Sequence, residues 1–227
     1  MTITIVAKSS IRQDPAKLGA LNEQGILQVL PASFYAQFTT QEVATFGVLN
    51  GLYGLPTTEL TVWLKQVVGE QSMLEIGAGN GVLARELGIR ATDNWMQTWP
   101  DIAAWYASLQ QPTVPYGDWV ENLDAHAAIA KYTPDVVLAC WVTHQYRDDR
   151  HERGGNVYGV DEEAVLAACK TYIHIGNGRV HANKSIRSQP HRRYQFDWLV
   201  SRALKPELNE ICIWGARLPG EPPESVA

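Results

Sequence analysis

Apolar positions along this chain follow two rhythms, and the change between them divides it. Over residues 15–68 the spacing is helical with breaks. Thr39 or Thr40 caps a helix over 41–49, which Asn50, Gly51 and Gly54 interrupt. Thr57 or Thr58 caps a second over 59–68, with Leu60, Leu64, Val67 and Val68 on one face and Gly69 as its stop. Ahead of them, residues 2–7 alternate and are β-branched, a pattern open to a short strand or a loose tail.

From residue 72 onward short apolar runs alternate with helical ones. Strands are predicted over 72–76, 89–92, 113–116, 135–141, 172–175 and 210–214. Helices are predicted over 81–87, 99–109, 123–132, 161–169 (Asp161 as candidate N-cap) and 194–204. Residues 176–193 carry no assignable pattern. Such alternation implies an α/β fold: a mainly parallel central sheet with helices on both faces. The expected organisation is a mainly helical N-terminal extension over 1–69, the α/β domain over 70–218, and a loose Pro- and Glu-rich tail over 219–227.

Composition narrows the picture by exclusion. The chain has 227 residues and is 45% hydrophobic, enough for a real core. No apolar run approaches a membrane span, and the N-terminus lacks a signal peptide's apolar region, so a cytoplasmic protein is expected. Cys140, Cys169 and Cys212 form no CxxC pair, so neither a disulfide framework nor a metal site is expected. A net charge of −5 gives no overall basic footprint for nucleic acid.

The candidate chemistry starts at MLEIGAGNGVLAREL, residues 73–87. A buried strand runs into a glycine turn and then a helix, an arrangement that holds ligands at the carboxyl ends of parallel strands. Glycines stand at 77, 79 and 81 with Glu75 two residues ahead of the first, and position 82 is valine. A dinucleotide fingerprint needs a glycine at 82, and a carboxylate so near a pyrophosphate would repel it.

The turn resembles motif I of the class I S-adenosylmethionine (SAM)-dependent methyltransferases. That resemblance implies a Rossmann-like fold, SAM as cofactor, and a cofactor site of Glu75, Gly77, Ala78, Gly79 and Gly81. It implies further that Asp93, closing the next strand, accepts hydrogen bonds from the ribose hydroxyls. Gly81 and Asp93 stand closer than the family's spacing, by about one helical turn, which predicts a short first helix. YGDW at 116–119 resembles the family's adenine turn, with Asp118 as acceptor and Trp119 as packing surface. Tyr53 and Thr57 precede motif I, where the family folds a segment over the methionine end of SAM; helix capping by Thr57 is the alternative.

The methyl acceptor is expected at the end of the fourth strand, LACWVTHQY. Trp141 and Tyr146 are candidate pocket residues, and His144 is a candidate general base. Neither the D/NPPY/F/W motif nor the PC pair of DNA methyltransferases is present. Residues 147–159 read as an exposed loop, a candidate lid. Residues 164–196 hold Lys170, Arg179, Lys184, Arg187, Arg192 and Arg193 with no Asp or Glu. Read functionally, the basic run meets an anionic group, with Lys184 as a candidate substrate contact. Read structurally, it is a face neutralised by the rest of the fold.

The sequence thus favours methyl transfer to an unidentified acceptor, a small anionic molecule slightly ahead of nucleic acid. The alternatives are a SAM-binding protein without methyl transfer, a nucleotide-dependent oxidoreductase, and an interaction protein on the same scaffold.

Overall fold

The computed structural model describes residues 12–149 and 154–222. The alternating residues 2–7, positions 150–153 of the charged loop and positions 223–227 lie outside them.

The N-terminal part is built from short helices: α1 (Ala32–Tyr35), α2 (Thr40–Leu49) and α3 (Thr58–Val68). A capping box starts α2: the Thr39 hydroxyl accepts from the Glu42 amide, and the Glu42 carboxylate accepts from the Thr39 amide. Thr57 caps α3 by accepting from the Leu60 amide. Leu60, Leu64, Val67 and Val68 are buried on one face of α3, each contributing about 2 kcal/mol of burial. That face packs on the main sheet, so the predicted boundary at 69 falls behind a helix that belongs to the sheet's core. A two-stranded ladder, β1 (Gly54–Leu55) with β8 (Val200–Ser201), ties this part to the C-terminal third.

The main sheet has seven strands: β2 (Met73–Ile76), β3 (Arg90–Asp93), β4 (Val120–Asn122), β5 (Val136–Cys140), β6 (Thr171–Asn177), β7 (Arg192–Tyr194) and β9 (Asn209–Gly215). Their order is β4-β3-β2-β5-β6-β9-β7, with β4 to β6 parallel and β9 antiparallel to both its neighbours. The crossovers are α4 (Val82–Leu87), α5 (Pro100–Ser108), α6 (Ala125–Tyr132) and α7 (Glu162–Ala167). Strand order reverses between β2 and β5, the switch point where such sheets bind ligands. The run at 135–141 is apolar on both faces because helices cover both. Val136 and Leu138 join one cluster with α3, while Val137 and Ala139 join another with α6 and α7.

Three expectations change. Residues 113–116 form no strand; Val120–Asn122 pairs with β3 instead. Pro115 has no amide for a ladder, and the Val114 amide donates to the Gln97 side chain at 2.8 Å. Residues 194–204 are not helical: β7 ends at Tyr194, a turn follows at 197–198 and β8 at 200–201, and the rings of Tyr194, Phe196 and Trp198 all meet Trp63. Residues 219–222 are docked rather than loose, because Glu221 is buried and pairs with Arg192 and Tyr194.

Candidate active site

The turn from β2 to α4 carries Gly77, Gly79 and Gly81 at φ of 56°, 56° and 67°. All three lie in the left-handed region, which other residues adopt only under strain. The turn is pinned to its neighbour: the Ala78 amide donates to the Thr92 carbonyl at 3.0 Å. The short helix expected from the tight spacing is present, with α4 only 6 residues long.

Glu75 stands differently from a ligand-facing acid. It is 1% exposed and accepts from the Ala84 amide at 2.9 Å. It therefore braces α4 from beneath by satisfying a helix-start amide. Burial pushes its carboxyl up to about 8, so it is mostly neutral at pH 7.

Asp93 closes β3 beside the turn. One carboxylate oxygen accepts from the Gly79 amide and the other from the Trp95 amide, each at 2.9 Å. The Tyr116 hydroxyl lies next to it. Burial, ahead of these hydrogen bonds, raises its pKa. The residue types suit a ribose: a flexible turn, with a carboxylate 14 positions on at the next strand end. The space above the turn is taken by the chain's own segment at 113–116. A Cβ on Gly79 would stand 3.2 Å from a Val114 methyl, and Tyr116 stacks on Trp95 with centroids 5.4 Å apart.

Several candidates prove committed to the fold. Asp118 and Trp119 precede β4 instead of following a third strand, so they stand at the wrong end for an adenine turn. Asp118 is exposed, while Trp119 packs against Gly81 and Gly117 under the Arg85 guanidinium. Thr57 is fully buried; its hydroxyl caps α3 and donates to the Trp198 carbonyl, which leaves nothing for a cofactor. Tyr53 is half-buried, hydrogen-bonded to the Tyr106 hydroxyl at 2.9 Å and stacked under Arg202.

Trp141 and His144 follow the carboxyl end of β5. Trp141 has a left-handed φ of 61°, unusual for a bulky side chain. Its ring meets His181 edge-on at 5.0 Å and lies 6.5 Å from Tyr53. A cavity of about 10 Å³, the size of one water, sits among Gly54, Cys140, Trp141, Gly176 and Ser201. His144 is half-buried against Gly155 and Gly159, and the Tyr146 amide donates to Asn156. Both therefore belong to a knot made with the following loop.

Two histidines of the basic segment, seven positions apart and with no Cys or carboxylate between them to suggest a metal, are buried here. His174 and His181 cross edge to face at 4.8 Å, and the His181 Nδ1 accepts from the Asn177 amide. Burial lowers both, His181 to about 3, so both are neutral. His174 lies on β6 and His181 in the turn after it, a meeting that their spacing in the sequence does not announce.

Five of the six cations of the basic run pair with four carboxylates of the fold. Lys170 pairs with Asp135, Lys184 with Glu162, Arg187 and Arg193 with Glu210, and Arg192 with Glu221. Lys184 is 1% exposed, donating also to the Val142 carbonyl at 2.9 Å. It is thus a buried structural cation and not a substrate contact. Among the described residues, no three His, Cys, Asp or Glu side chains converge as a metal site, and no helix is long and apolar enough to cross a membrane.

No family profile and no curated protein sequence matches the chain. Loose likenesses to solved structures exist. One is a protein described as a methyltransferase and solved with S-adenosylhomocysteine (SAH), at 10% identity and a TM-score of 0.35, covering 68% of this chain and 48% of that one. A second is precorrin-6y C5,15-methyltransferase from Geobacter metallireducens, at 13% identity and a TM-score of 0.37, covering 70% and 89%. A third, from Thermoplasma acidophilum, has 14% identity and a TM-score of 0.31, covering 71% and 86%. The chain thus spans about half the length of the first of them, and the functional reading rests on the geometry of the turn.

Proposed function

We propose that the chain binds SAM at the turn of Gly77, Gly79 and Gly81 and transfers its methyl group to an acceptor held near Trp141. The observation that carries this reading is three alternate left-handed glycines opening a helix at the sheet's switch point, with Asp93 closing the adjacent strand. A dinucleotide fits less well. Val82 fills the position its third glycine needs. The antiparallel β9 also departs from the dinucleotide-binding strand order.

In this reading the turn and the Asp93 carboxylate hold the adenosyl part, and bound SAM supplies a methyl group activated by a sulfonium. The chain's contribution is placement. In-line displacement gains most from orientation and exclusion of water. Trp141 supplies a flat apolar wall for the acceptor, and His144, held by the following loop, is the candidate base for an acceptor proton. Pairing of five of the six basic side chains with carboxylates of the fold weakens the ground for preferring an anionic acceptor, and with it a ground for nucleic acid. A SAM-binding protein without methyl transfer is the second reading, favoured by the water-sized cavity beside Trp141.

The test is calorimetric titration with SAM, SAH and NAD. Binding of the adenosyl pair at micromolar concentration without NAD supports the assignment, and binding of NAD alone overturns it. Release of labelled methyl to candidate acceptors then separates transfer from binding.

A further inference from the structure

The segment over the glycine turn has the features of a gate. It runs from a 3₁₀ turn at Met96–Thr98 through α5 to Tyr116. Its helix buries no residue, and Trp105 on it is 56% exposed. Its attachments to the rest of the chain are few: the Tyr106 hydroxyl to Tyr53, the Trp99 ring edge-on to Tyr158, and Tyr116, whose ring stacks on Trp95 and whose hydroxyl meets Asp93. An element with so few buried apolar contacts opens at low cost. By contrast α3 buries Leu60, Leu64, Val67 and Val68.

What the segment covers is specific. Val114 sits against Gly79, and Tyr116 stands beside Asp93, the two points proposed to hold the adenosyl group. Thr113 crosses so near Gly51 that a Cβ there would stand 2.3 Å from its carbonyl.

We infer that residues 96–116 are a flap that closes the adenosyl site by placing Val114 and Tyr116 in it, and that ligand enters only when the flap swings out. The inference rests on the proposed function for the identity of the ligand, though not for the motion. Ligand affinity is then reduced by the fraction of molecules that are closed. Trp99 and Tyr106 hold the closed state, so weakening either raises affinity.

The experiment pairs hydrogen exchange on the full chain with SAH binding to wild type, Trp99→Ala and Tyr106→Phe. The expected result is faster exchange over 96–116 than in β2, β5 and β6, increased further by either substitution. SAH affinity should tighten about three- to ten-fold in each variant, as loss of one closed-state contact implies. The wild-type association rate should level off at high SAH, at the rate of opening. Exchange over 96–116 as slow as in the sheet overturns the flap. So does SAH binding with unchanged affinity in both variants. Fast exchange with no SAH binding to any of the three proteins overturns the cofactor assignment instead and leaves the flap standing.

Discussion

The Gly79 amide donates to the Asp93 carboxylate at 2.9 Å, so the glycine turn and the acid of the next strand are held as one unit. A charged acceptor at that amide keeps the left-handed turn in place across the gap between β2 and β3. The same oxygens are the ones proposed to meet a ribose, so structure and binding share one group.

Asp93→Ala should weaken SAH binding by about 1.5–3 kcal/mol, the worth of hydrogen bonds to a charged acceptor. Calorimetry on the folded variant reads it. Equal affinity in wild type and variant would remove Asp93 from the site.

Glu75→Gln should stabilise the protein in mild alkali. Burial holds the folded carboxyl at about 8, above its value of 4.5 in the open chain. A raised acid favours the folded state fully below the lower value and loses that advantage as pH climbs to the higher one. Glutamine keeps an acceptor for the Ala84 amide without titrating. The variant's gain should be small at pH 5 and reach the order of a few kcal/mol by pH 8. Thermal melts at the two pH values check this; a gain independent of pH would contradict it.

Lys184→Met should cost about 3–5 kcal/mol by leaving Glu162 charged and buried. Lys184→Met with Glu162→Gln should recover much of it, since Tyr172 still donates to the side chain at 162. Urea unfolding of the three proteins measures the difference. Full stability of the single variant would show that the pair is not what holds Val142.

Acid should unfold the chain through its buried histidines. His181 is held at about 3 by burial, against 6.5 when exposed. A base lowered on folding gives stability above its open-chain value and loses it as pH falls. The loss should begin near pH 6.5 and continue to about 3. His181→Asn, with an acceptor for the Asn177 amide, should flatten that part of the stability–pH curve.

Local chemistry was legible in the sequence and distant chemistry was not. Asp161 caps its helix as read, and Thr39 and Thr57 are the ones of the two candidates at each earlier helix start that do so, because a cap involves residues two or three apart. The left-handed glycines and the short α4 were legible for the same reason. The strand expected at 113–116 failed through a contact with Gln97, which local pattern does not contain. Tyr194, Phe196 and Trp198 looked helical beside Leu199 and Leu204, although their own alternation was extended. The basic run looked like a binding surface because its carboxylate partners come from four separate places in the chain: Asp135, Glu162, Glu210 and Glu221.

Glu210 stands between two cations. Its one buried carboxylate takes two guanidiniums, Arg187 and Arg193, and so draws the cations of this face onto the sheet. Two positive charges on one negative leave the cluster a net charge of about +1, so the face keeps a short-ranged pull on an arriving anion. Encounter of anions with this face should slow as salt is added.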